Sequence, residues 1–217
     1  MSKLRSMIWT AFIVAVAYQF FLLVPALALR SLAPGLSFIM LMGFAFILAG
    51  LLLYGYLQAH GVAAEVTDPG DVNLLTFGMA AGAAVLSIGA TMILSGILAA
   101  LFGPDGLSVS DNFAFEMMAS PKLELIFTVA LVGPVIEEMI YRGLLMGVLL
   151  ARGWAPMGAA GLAALIFALQ HIQYGWIGIV SVGLYGFVFG LLRIASGGLF
   201  APVVAHLLIN LISIALN

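Results

Sequence analysis

Two adjacent glutamates, an arginine one helical turn beyond them, two histidines and an asparagine are the residues here whose types and spacing can do chemistry. They are Glu137, Glu138 and Arg142, then His171, then His206 with Asn210. A carboxylate can take a proton from water, an imidazole can share it, and imidazole or amide N–H groups can donate to a developing oxyanion. Their surroundings make them stand out. The chain has 217 residues, of which 65% are hydrophobic and 7% charged, and all six lie inside apolar runs. An ionisable group at the centre of a membrane helix costs about 2.5–3.5 kcal/mol on insertion scales. Three unpaired on one helix would cost roughly the net stability of a typical domain. They persist only if paired, solvated in a cavity or needed.

Helix geometry sorts them. Glu138 and Arg142 are i,i+4 neighbours on one face, the spacing of an ion pair, and we read them as structural or orienting. Glu137 points about 100° away and is the carboxylate left for chemistry. Pro134 removes a backbone hydrogen bond and loosens the helix beside it. Phe167 and His171 share the i,i+4 spacing, which sets a ring beneath the imidazole. His206 and Asn210 share it too, so both face one cavity. The absence of cysteine excludes a thiol nucleophile, thiolate metal ligands and disulfides. Glutamate and histidine together also suit a zinc shell in a protease or a proton relay in a small transporter. A scaffolding pseudoprotease that binds a partner is a further alternative.

The elements that must position these residues follow from the composition. Mean hydropathy is +1.25, and apolar runs long enough to cross a bilayer recur along the chain. That excludes a soluble enzyme, a nucleic-acid binder, a disordered chain and an outer-membrane barrel. The expected fold is all-α, a polytopic transmembrane bundle of seven or eight spans, at about 8–29, 36–57, 74–102, 123–151, 156–173, 176–194 and 199–216. Residues 1–217 form one integral-membrane domain. The first span is expected to be an uncleaved signal-anchor, the alternative being a signal peptide with an A-x-A site at Ala26-Leu27-Ala28. Seven spans with a cytoplasmic N-terminus put Lys3, Arg5, Arg152 and Arg193 inside and Arg30 and Lys122 outside. Arg152 and Arg193 are expected to be snorkelling anchors. Gly78/Gly82, Gly143/Gly147 and Gly186/Gly190 suit close helix packing inside the bundle, a homodimer face being the alternative.

The motifs resemble those of a known family. Glu137-Glu138-x-x-x-Arg142, Phe167-x-x-x-His171 and His206-x-x-x-Asn210, in that order on successive membrane helices, look like the CPBP family. That family comprises the type II CAAX prenyl endopeptidases and the bacterial Abi proteins linked to bacteriocin processing and immunity. The run Gly133-Pro134-Val135-Ile136-Glu137-Glu138 and Tyr141-Arg142-Gly143 add to the resemblance, which is carried by a core at about 120–217. It implies an intramembrane glutamate-type endopeptidase without a metal or other cofactor. Glu137 would be the base, and His171 would help it bind and deprotonate water. His206 and Asn210 would donate to the oxyanion, and Glu138 and Arg142 would hold the site in shape. The chain has no His-Glu-x-x-His of a zinc site-2 protease, no Gly-x-Ser-Gly of a rhomboid, and no Asp well inside a span.

The implied substrate is a membrane-associated peptide or protein, of CAAX type or a processed bacteriocin-like peptide. An Ala/Leu-rich, nearly loop-free chain favours a bacterial or archaeal cell membrane. The stretch from Gly103 to Pro121 is expected to form an interfacial lid or short amphipathic helix, with Asp111 capping a turn that presents Phe113, Met117 and Met118 to the membrane, an ordinary connecting loop being the alternative.

Overall fold

Long apolar runs without charge become long helices here, and the breaks between them fall at capping and glycine positions. A computed structural model describes residues 3–33, 35–103, 105 and 117–216; among these there is no strand. After a 3₁₀ turn at Lys3–Met7, α1 runs Ile8–Leu32. Helix α2, Phe38–Ala59, starts where the Ser37 hydroxyl accepts the Met40 N–H at 3.0 Å. A short α3 at Ala63–Val66 leads to α4, Leu74–Phe102, which opens on a capping box between Asn73 and Thr76. Helix α5 covers residues 122–151. Then come α6 (Pro156–Leu169), a 3₁₀ turn (Ile172–Tyr174), α7 (Gly175–Ser196) and α8 (Phe200–Leu216).

Helix α5 is the axis. Every residue from 137 to 149 is buried, because α1, α2, α6, α7 and α8 all pack against α5. One apolar cluster joins α1, α2, α5 and α6, and a second joins α4, α7 and α8.

Among the described residues, four helical segments are long and apolar enough to cross a membrane: Lys3–Leu32, Phe38–Ala59, Leu74–Phe102 and Ile172–Ser196. The protein is therefore an integral membrane protein. The remaining expected spans are less regular: α6 has 14 residues and α8 has 17, and α5 changes helix type four times.

The expected fifth span, 156–173, ends early, since α6 stops at Leu169 and leaves His171 in the turn beyond it. Glycine packing is also uneven. A Cβ on Gly190 would lie 2.7 Å from that of Ala160, and one on Gly143 would lie 2.3 Å from the Val66 carbonyl oxygen. Gly78 and Gly82 instead face open space among the described residues. Of the expected lid, Asp111 and Phe113 lie outside the described residues, while Met117 is half-buried and Met118 exposed.

Two loops at one end are tied together. Leu199 N–H donates to Asp68 O (2.8 Å), Phe200 N–H to Pro69 O (3.0 Å) and Asp71 N–H to Ser196 O (2.9 Å). The approach requires glycine: Gly70 has φ +66°, and a Cβ there would lie 2.3 Å from Gly198 N. This clasp fixes the start of α8, the helix that carries His206.

Candidate active site

The helix carrying the two glutamates is built around a proline. Segments of α5 at Ile126–Val132 and Met139–Leu145 are π-helical, with α-helical Gly133–Glu138 between them. In the first, Gly133 N–H bonds Thr128 O, five residues back. The next bond of that series would join residue 134 to Val129 O, but Pro134 has no N–H. Asn210 fills the gap, its Nδ2 donating to Val129 O at 2.8 Å. The loosening expected from Pro134 is thus a widened turn whose orphaned carbonyl is capped from α8. π-segments of this kind often mark functional sites.

Glu137, Glu138, Arg142 and His206 converge in the interior. Glu138 and Arg142 are both 0% exposed, and Glu137 is 7% exposed. Arg142 Nη1 donates to Glu138 Oε1 at 3.0 Å and Nη2 to Gly186 O at 2.6 Å. Its guanidinium carbon also lies 4.8 Å from the centre of the Phe167 ring and 5.2 Å from that of Phe189. The expected separation of the two glutamates takes an unexpected form, because one imidazole touches both. His206 Nδ1 is 2.9 Å from Glu138 Oε1, and its Nε2 is 3.6 Å from Glu137 Oε2. Carboxylates accept, so Nδ1 carries the proton on the Glu138 side. The ring is stacked on Phe189 and edge-on to Phe167.

His171 reaches the site from the turn after α6. Its Nδ1 is 2.8 Å from Phe167 O, a carbonyl at the helix end, and its ring lies 4.6 Å from that of Phe167. A carbonyl only accepts, so Nδ1 bears the hydrogen and Nε2 the lone pair. His171, Tyr174 and Tyr141 all lie within electrostatic reach of Glu137. The i,i+4 expectation for Phe167 and His171 therefore gives the right neighbour through a helix cap.

Sequence reasoning missed several partners. Tyr18, on α1, donates its hydroxyl to Glu137 Oε1. Tyr141 donates to Ala15 O at 3.0 Å and latches α1 to α5. Arg193, expected to snorkel, instead donates from Nε to Arg142 O (3.2 Å) and from Nη1 to Gly197 O (2.7 Å). Arg152 Nη1 donates to Arg5 O at 3.2 Å. Asn210, expected to face the same cavity as His206, has one amide hydrogen engaged by Val129. Among the described residues, no three His, Asp or Glu side chains are grouped to hold a metal ion.

This arrangement can hold a buried carboxylate in a fixed orientation next to the His206 imidazole, with a charge-compensating ion pair behind it. Comparison with known proteins bears directly on it. Residues 119–212, which include all six residues first singled out, match the family model "Type II CAAX prenyl endopeptidase Rce1-like". This segment, less than half of the chain, is similar to the Rce1-like family. The matched segment starts just before α5 and ends within α8, so it holds the expected motif-bearing core and leaves out α1 to α4. A membrane-embedded CAAX protease MroQ of Staphylococcus aureus (strain USA300) is 31% identical over 125 residues, covering 55% of this chain and 49% of that protein. An uncharacterized 24.3 kDa protein of Escherichia coli is 31% identical over 84 residues, or 38% of this chain and 39% of that one. The matches thus span less than half the length of these curated relatives. No solved structure matches the chain.

Proposed function

We propose that this protein is an intramembrane endopeptidase of the glutamate type, acting without a metal on a membrane-associated peptide or protein. The observation that carries the reading is Glu137, buried in the Rce1-like segment and held between Tyr18 and His206. In this reading Glu137 takes a proton from water, and the hydroxide adds to the scissile carbonyl carbon. His171 supports the first step, because its Nδ1 is committed to Phe167 and its Nε2 lone pair is available to hold water. His206, with its Nδ1–H held by Glu138, donates to the oxyanion from Nε2 in its doubly protonated form, and Asn210 donates beside it. For Asn210 this uses the second amide hydrogen, since Val129 takes the first. Collapse of the tetrahedral intermediate breaks the C–N bond, and Glu137 returns its proton to the leaving amine. Glu138 and Arg142 hold His206 and α5 in place.

Seven membrane-embedded helices with a cytoplasmic N-terminus complete the proposal, α5, α6 and α8 being the additional crossings. The contacts between loops support the alternation. It puts Arg5 on the same side as Arg152, Asp68 and Pro69 on the same side as Leu199 and Phe200, and Ser37 on the same side as Glu124. Each of these pairs is hydrogen-bonded. The bacterial relatives fit a bacterial membrane. The open Gly78/Gly82 face leaves room for a second copy, a homodimer that a single-chain mass by light scattering in detergent would remove. Metal independence is tested by full activity in chelator-treated protein found metal-free by elemental analysis. The reaction itself is tested by incubating the reconstituted protein with a library of membrane-associated peptides and mapping cleavage sites against Glu137→Gln.

A further inference from the structure

Helix α1 lies outside the Rce1-like segment, yet it supplies a donor to the central carboxylate. The buried positions of α1 are Ala11, Ala15, Tyr18, Leu22 and Ala26, a stripe at helical spacing. Its alanines let α1 approach α5 closely, and its single polar member is Tyr18. Two hydrogen bonds cross between the helices in opposite senses. Tyr141 on α5 donates to Ala15 O on α1, and Tyr18 on α1 donates to Glu137 on α5. The Tyr18 ring is held edge-on to Tyr141 at 5.9 Å and tilted against Phe46 at 6.2 Å. The direction of its hydrogen bond is fixed from behind. Gln19 Nε2, which can only donate, lies 3.4 Å from the Tyr18 oxygen, so the tyrosine's own proton goes to Glu137 Oε1.

The two oxygens of Glu137 are therefore unequal. Oε1 is occupied by a neutral donor, while Oε2 faces His206 Nε2 at 3.6 Å. We propose that Tyr18 is a positioning residue of the hydrolytic site: it holds Oε1 and so turns Oε2 toward the water that Glu137 deprotonates. The proposal rests on the reading of Glu137 as the base. A carboxylate without that donor is free to rotate about its last torsion, which is broad and weakly restrained. Misplacement of a reacting group by about 1 Å costs up to about 100-fold in rate.

Tyr18→Phe removes the hydroxyl and keeps the packed ring. The expected result is a fall in kcat of roughly 10- to 100-fold with KM changed less than about twofold, the pattern of a group that acts only on the chemical step. Tyr141→Phe is the matched comparison: it also removes one α1–α5 hydrogen bond but leaves the donor to Glu137. Its loss of kcat is expected to be at least about tenfold smaller at a comparable melting temperature. Independently of turnover, the infrared carboxylate band that disappears in Glu137→Gln is expected to shift in Tyr18→Phe. An unmoved band, an unchanged kcat, or equal losses in Tyr18→Phe and Tyr141→Phe would overturn the proposal. Wild-type protein that cleaves nothing, or Glu137→Gln that cleaves normally, would sink the peptidase reading instead. In that event the infrared shift still decides whether Tyr18 holds Glu137.

Discussion

At the scale of residues, the balance of charge is local and closed. Arg142 has no exposed surface and meets one carboxylate, one carbonyl and three aromatic rings. Glu138 Oε2 and Arg142 Nε find no hydrogen-bond partner among the described residues, so removing Arg142 leaves the buried Glu138 with the His206 Nδ1–H as its remaining side-chain donor. Arg142→Met should therefore lower stability by about 3–5 kcal/mol, as breaking a buried pair does. Glu138→Gln/Arg142→Met should cost less than the sum of the single changes, measured by thermal melting in detergent. Full additivity would mean that the pair is not coupled. This pair was legible in the sequence because i,i+4 spacing is local information. The bridge that His206 makes between Glu137 and Glu138 was not, since it depends on how α8 packs on α5. Tyr18 carried no signal at all: tyrosine is ordinary in a membrane helix, and its partner lies 119 positions away.

At the scale of elements, Pro134 announced a weakened helix, but not that the chain would answer with π-turns or that Asn210 would cap the freed carbonyl. This account predicts a specific coupling. Asn210→Ala strands Val129 O and should cost about 1–3 kcal/mol. Pro134→Ala restores an N–H at residue 134, which can bond Val129 O directly. In that background Asn210→Ala should cost measurably less in a denaturation cycle. An undiminished cost would show that Asn210 serves something other than the proline gap. The clasp between the 66–73 loop and the start of α8 makes a second prediction. Gly70→Ala forces a side chain into a positive-φ position 2.3 Å from backbone and should destabilise by roughly 1–3 kcal/mol. Because the clasp sets the start of α8, activity should fall with it. An unchanged melting temperature would contradict the close approach. Element types were readable from hydropathy, but element ends were not. Gln170 and His171 continue a helical pattern in sequence, yet α6 stops at Leu169 and His171 turns back to cap it.

At the scale of the whole molecule, the all-helical membrane fold follows from an apolar chain with almost no charge to spend on a surface. The span count does not, because three of the expected crossings are short or irregular and only tertiary contacts show which loops share a side. The chain has no cysteine, so single cysteines report topology cleanly. His60→Cys and Trp154→Cys should label from one side of sealed vesicles, and Leu36→Cys and Lys122→Cys from the other. Labelling of all four from one side would contradict the alternation. The central claim is that Glu137 activates water for peptide hydrolysis inside the membrane. Its most direct test is cleavage of a membrane-associated peptide in H₂¹⁸O by the reconstituted protein, read by mass spectrometry beside Glu137→Gln of equal melting temperature. The account predicts one ¹⁸O in the new carboxyl terminus with wild type and no product with Glu137→Gln. Product formed at the wild-type rate by Glu137→Gln would contradict it.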